Sequence, residues 1–182
     1  MTPVRVVQIK NLKNAVGSKN VEYLKGSQEK ESINWMEKAA KVAEKALCLK
    51  AKCGVVIVKD GEIIGEGYNA PPLDKEENRV CNKDFGPSKP KYDKTCCMHA
   101  EWRAVIDTLK RNSEKIEGSK LYFTRVDDSG KIKKSGEPLC TVCSRIALDV
   151  GIEKFVLWHD KGICEYSTDE YNLLSYQYTP EK

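Results

Sequence analysis

A chain of 182 residues, 40% hydrophobic and 32% charged, has enough apolar material for one folded domain, which excludes a disordered tail or a collagen-like repeat. The net charge of +4 suits an anionic small ligand but is too mild to mark a dedicated nucleic-acid binder. No apolar run approaches the roughly 18 residues of a membrane span, and Met1-Thr2-Pro3-Val4-Arg5 lacks a signal-peptide core, so no membrane contact and a cytoplasmic location are expected.

Taken in order, residues 1–31 are the least patterned and read as an N-terminal extension to a domain over 32–182, with a short strand at Val4–Ile9. Ser32 can cap a helix in which Ile33, Met36, Ala40, Ala43 and Leu47 recur at helical spacing, ending before Gly54. Gly54–Val58 and Ile63–Asn69 flank Asp60-Gly61, the residue pair of a tight hairpin, and predict two antiparallel strands. Residues 70–95 form a long polar loop with four prolines, a length that usually carries function or moves. His99 to Asn112 reads as a helix with Trp102, Val105, Ile106 and Leu109 on its apolar face, and Lys120–Val126 as a strand. Asp127 to Glu137 is a charged loop. A helix follows from about Leu139 to Val150, with Cys143, Ile146, Ala147 and Val150 on one face and Gly151 as its stop. Phe155–Trp158 is the fourth strand; residues 169–176 can form a helix, and no fifth strand is evident. This order gives an α/β layered domain whose last two strands run parallel through a right-handed crossover.

Eight cysteines could suggest a secreted disulfide framework, but a chain of this size without an export signal uses clustered cysteines more often for metal or catalysis. The histidines are His99 and His159. Two stretches stand out: Cys97-Met98-His99-Ala100-Glu101 and Pro138-Leu139-Cys140-Thr141-Val142-Cys143. His99, Cys140 and Cys143 make a three-ligand zinc set that leaves a fourth position for water. His99 shares a stripe with Trp102 and Ile106 and so faces inward; both cysteines lie one turn apart at a helix start, where the positive dipole end favours thiolate. Zinc would bring the water's pKa toward about 7, and Glu101, which is not a ligand, would carry protons during hydrolysis of an aminated base. The two stretches resemble H-x-E followed by P-C-x-x-C, the known signature of zinc nucleobase deaminases, and Leu139 interrupts it by one residue. The competing expectation is a non-catalytic zinc-stabilised binding module, with Cys96 or Cys97 closing the fourth position.

On these residues, with the hairpin, Leu121-Tyr122-Phe123-Thr124 and Gly151–Val156, the chain resembles the cytidine and deoxycytidylate deaminase family over about 32–160. Gly65-Glu66-Gly67-Tyr68-Asn69 is most similar to the deoxycytidylate branch, although Ala70 stands where those enzymes have glycine. The resemblance implies a three-layer α/β/α domain with a mixed sheet, zinc on His99, Cys140 and Cys143, Glu101 as proton shuttle and Asn69 as a substrate contact. It further implies conversion of dCMP to dUMP with release of ammonia, a homo-oligomer, and a second zinc using Cys81 with Cys96 or Cys97. Arg79, Lys89, Lys91 and Lys94 are candidate phosphate contacts. Leu139 and the long 127–137 loop border the zinc site, which leaves open another aminated heterocycle: a purine base, a pterin or riboflavin precursor, or an antibiotic intermediate. No strongly basic stretch argues for RNA.

Overall fold

The computed structural model describes residues 23–81, 96–134 and 136–177. The expected strand at Val4–Ile9 and the cations Lys89, Lys91 and Lys94 lie outside them.

Helix α1 runs Gly26–Ala43, so it starts six residues before Ser32 and stops before Leu47. Its first turns carry Gln28, Lys30 and Glu31 toward solvent, so the start of the helix has no apolar periodicity. Leu47 instead donates its backbone N–H to the Asn69 carbonyl at 3.1 Å. Strands β1 (Lys52–Lys59) and β2 (Glu62–Tyr68) form the expected hairpin. Asp60 at φ 50° and Gly61 at φ 77° both take left-handed backbone, as the two-residue turn of that twist requires. Helix α2 (Ala100–Arg111), strand β3 (Lys120–Val126), helix α3 (Thr141–Asp149) and strand β5 (Lys154–His159) stand where the pattern put them. Two strands were not foreseen. β4 (Ile132–Lys133) brings residues 127–133 back onto the end of β3, and β6 (Gly162–Ser167) pairs antiparallel with β5 before helix α4 (Thr168–Ser175).

The sheet order is β2-β1-β3-β5-β6, with β4 beside β3; β3 and β5 are parallel and every other pair is antiparallel, giving the mixed sheet of a three-layer α/β/α domain. Strand residues alternate between its faces. Val56, Val58, Tyr122 and Val156 pack with Trp35, Met36, Ala39 and Val42 of α1. Val55, Ile57, Leu121, Phe155 and Leu157 face the other way, against α2, α3 and α4. Among the described residues no helix is long and apolar enough to cross a membrane.

The inward face of α2 differs from the expected one. Ile106 and Leu109 are 41% and 45% exposed, and the face on the sheet is Ala100, Glu101, Ala104, Val105 and Thr108. Small residues prevail there because α2 lies almost on the backbone of β2: a Cβ at Gly67 would collide with the Ala100 carbonyl and the Ala104 nitrogen, and one at Gly65 with Thr108. Helix and strand therefore meet glycine to alanine, and the larger apolar residues are left for the outer side.

Candidate metal centre

Both stretches singled out in the sequence become helix starts that face each other. Before α2, Ala70 and Met98 form an antiparallel bridge, with Met98 N–H donating to the Ala70 carbonyl at 2.8 Å. That bridge delivers His99 in extended backbone as the residue that opens the helix, and Glu101 falls in its first turn. At α3, Cys140 is the N-cap, and its sulfur accepts the Cys143 N–H at 3.3 Å, as a serine or aspartate oxygen would at this position. Leu139 points to solvent, 54% exposed, so the extra residue is accommodated without disturbing that cap.

His99 Nδ1 lies 3.1 Å from Cys143 Sγ and 3.5 Å from Cys140 Sγ. The three ligand atoms all fall within 4.8 Å of one another, and among the described residues this is the group that meets that condition. One imidazole and two sulfurs are a donor set suited to zinc. The electrostatics agree. A hydrogen bond from the Cys143 thiol, helped by His99 and the Cys143 N–H, outweighs burial and brings Cys140 down to about 4. Burial, then the neighbouring Cys140, push Cys143 up, so the pair holds one proton that a metal would displace. His99 is raised, chiefly through its hydrogen bond with Cys140.

Glu101 is 7% exposed, and burial raises its carboxyl above the usual range. It stands close enough to Cys143 for a side-chain hydrogen bond and acts on Cys53 of β1, whose thiol is pushed up to about 12 by burial and then by that carboxylate. A carboxylate in this position, inside the ligand cluster yet outside the ligand set, can give and take protons.

His99 does face inward, but not because Trp102 and Ile106 are buried beside it. Trp102 stacks flat on the imidazole, with ring centroids 4.7 Å apart and planes 15° apart, and its buried Nε1 finds no partner among the described residues. Sequence spacing could have suggested that stack, because positions three apart on a helix are neighbours. Tyr171 of α4, stacked on Phe155 at 4.1 Å, lies within reach of the Glu101 and Cys143 charges, a neighbour that no sequence signal announced.

Asn69 is buried: its Oδ1 accepts the Cys53 N–H and its Nδ2 donates to the Ala51 carbonyl, both at 2.8 Å. It sits next to Ala70, on the His99 side of the Ala70–Met98 bridge. The guanidinium of Arg79 is also drawn inward, bonded to Glu76 at 2.5 Å and to the Leu47 carbonyl at 2.8 Å, which turns it away from the surface role expected of it. Cys81 and Cys96 are near each other, and Cys48, which the sequence did not mark, joins them through Cys97. Burial opposes ionisation at Cys96 and Cys48, but both thiols stay below the ordinary value. Cys96 accepts the Val80 N–H at 3.2 Å, and Cys48 accepts from the backbone of Lys50 and Ala51.

Residues 29–159 match the family described as the cytidine and deoxycytidylate deaminase zinc-binding region. The deoxycytidylate deaminase of Mycobacterium phage D29 is 29% identical over 125 residues, covering 65% of this chain and 86% of that protein. Among solved structures, the dCMP deaminase of cyanophage S-TIM5 in complex with dCMP and dUMP has a TM-score of 0.51 at 23% identity, covering 72% of this chain and 82% of that one. Cytidine deaminase from Burkholderia pseudomallei has a TM-score of 0.50 at 18% identity, covering 76% and 94%. Both likenesses are of fold.

Proposed function

The chain belongs to the cytidine and deoxycytidylate deaminase family of zinc-dependent hydrolytic deaminases, and from that premise we propose that it converts dCMP and water to dUMP and ammonia. The single observation that carries the reading is the convergence of His99 Nδ1 with the Cys140 and Cys143 sulfurs beside the buried Glu101. The preference for dCMP draws on the relative from Mycobacterium phage D29, whose name is deoxycytidylate deaminase.

In this reading His99, Cys140 and Cys143 hold zinc. When bound, zinc supplies a Lewis acid that makes water nucleophilic near neutral pH. Glu101 takes one proton from the water that attacks C4 of cytosine and gives it to the ring nitrogen, then carries that water's second proton to the amino group, which leaves as ammonia. Burial suits it to this task, because a carboxyl raised toward neutrality can both accept and return a proton. Asn69 is the substrate contact: beyond its bonds to Ala51 and Cys53 its amide keeps one N–H and one lone pair to offer. The deaminase domain is 32–182 and 1–31 its extension, although α1 already begins within that extension. A homo-oligomer working on free nucleotide in the cytoplasm completes the proposal.

The test is ammonia release across free bases, nucleosides and nucleotides. Turnover of dCMP above all others is expected; turnover confined to a purine or pterin compound would sink the dCMP reading. A second zinc at Cys81 with Cys96 or Cys97 rests on Cys96 standing beside Cys81 with its thiol below the ordinary value. Against it, burial pushes Cys97 up to about 12 and, among the described residues, these sulfurs do not form a group of three ligand atoms within 4.8 Å. A zinc-to-chain ratio of two, falling to one in a Cys96→Ser variant, is expected; a ratio of one in the parent chain removes that site.

A further inference from the structure

Helix α2 carries more than His99 and Glu101. From its next turn Arg103, with its side chain 18% exposed, reaches across to the segment that follows β2. One guanidinium nitrogen lies 2.8 Å from Asp74 Oδ1 and the other donates to the Pro71 carbonyl at 2.8 Å. The guanidinium sits over the Tyr68 ring, 4.9 Å from its centroid, and the Tyr68 hydroxyl donates to the second Asp74 oxygen at 2.6 Å. Asp74 is thereby held at both oxygens and Arg103 at both ends of its fork, a planar arrangement that a lysine cannot copy.

What this clamp restrains is backbone under strain. Leu73 at φ 60° and Asp74 at φ 58° are consecutive left-handed residues without being glycine, a conformation that persists only where surroundings impose it. Leu73 is 79% exposed and contributes nothing to hold it there. Immediately upstream, Ala70 is bridged to Met98, and Asn69 precedes Ala70. Segment 69–74 is thus tied to α2 at two points: through the Met98 bridge ahead of His99, and through Arg103 one turn into the helix.

We propose that Arg103 is a positioning residue for the substrate-facing end of segment 69–74: with Asp74 and Tyr68 it fixes Asn69 relative to His99 and Glu101, and so sets nucleotide binding rather than the chemical step. The inference rests on the reading of Asn69 as a substrate contact.

The experiment compares Arg103→Ala, Arg103→Lys and Asp74→Asn with the parent chain in KM and kcat for dCMP, zinc content, and amide hydrogen exchange at Ala70 and Asp74. For Arg103→Ala, KM is expected to rise about tenfold or more, because small displacements of a binding group are costly, while kcat stays within about threefold and zinc is retained. Asp74→Asn keeps the size of the side chain and should move KM the same way. Arg103→Lys should not restore KM, and exchange at Ala70 and Asp74 should quicken in all three variants. Unchanged KM in Arg103→Ala, a fall in kcat at constant KM, or full rescue by lysine would overturn the proposal. Should the parent chain turn over no cytosine nucleotide, the dCMP reading fails; amide exchange still reports the clamp, and unaltered exchange would dispose of it separately.

Discussion

Exchanging Glu101 for glutamine is expected to lower kcat for dCMP by about 10²- to 10⁴-fold, the range that general acid–base catalysis contributes, while zinc content stays at the parent level. Glutamine fills the same buried space as glutamate, so the loss is not an effect of an emptied core. It cannot accept a proton, so the two proton transfers from the water, one to the ring nitrogen and one to the departing amino group, lose their carrier. Zinc should be retained because the proposed ligand atoms are His99 Nδ1 and two sulfurs, none of which glutamine replaces. Glu101→Ala serves as the harsher companion: it should be at least as inactive and also less stable, because a buried side chain is removed. Steady-state kinetics with metal analysis on the same sample check both claims. Activity of Glu101→Gln within tenfold of the parent would take the carboxylate out of the mechanism.

The second large effect concerns the ligand set. Cys143→Ser, a change of one atom at a buried position, should abolish stoichiometric zinc binding and reduce deamination to background. It should also cost stability, because metal bound by the folded chain alone adds about 4 kcal/mol when free zinc stands a thousandfold above its Kd. Thermal unfolding with and without chelator tests this: the parent chain should lose stability on chelation and Cys143→Ser should not respond. Acid should act in the same direction. His99 and Cys143 both bind their protons more tightly than usual in the folded chain, so both compete with the metal as pH falls, and zinc is released on acidification. A Cys143→Ser chain holding one equivalent of zinc and turning over dCMP would contradict the ligand assignment.

The convergence of His99 with Cys140 and Cys143 was legible because it depends on spacing alone. A histidine that opens one helix and two cysteines one turn apart at the start of another need no knowledge of packing to be recognised. Other features depended on what each element meets. The face of α2 was misread because Ile106 and Leu109 are large and apolar while Ala100, Ala104 and Thr108 are not; only the glycines of β2 make the small face the buried one. β6 went unseen because Cys164, Glu165 and Tyr166 alternate poorly by hydropathy. In the sheet Glu165 reaches Lys120 and Lys154, neighbours that become visible only once β3, β5 and β6 are aligned. β4, at two residues, is below what any periodicity can detect. Arg103 carries no local signal of its role, because its partners Pro71 and Asp74 lie some thirty residues upstream.

The parallel pairing of β3 with β5 has a consequence for how the protein comes into being. His99 leaves the ribosome well before Cys140 and Cys143, and the two halves of the metal cluster are brought into register by a crossover that ends only at Val156. A nascent chain paused before Cys143 holds an imidazole without its full pair of sulfurs, and one paused between Cys143 and Lys154 has the sulfurs without the β3–β5 pairing. On the proposed ligand set, capture of the ion is expected late in biosynthesis, and translation products truncated before Cys143 should emerge unmetallated.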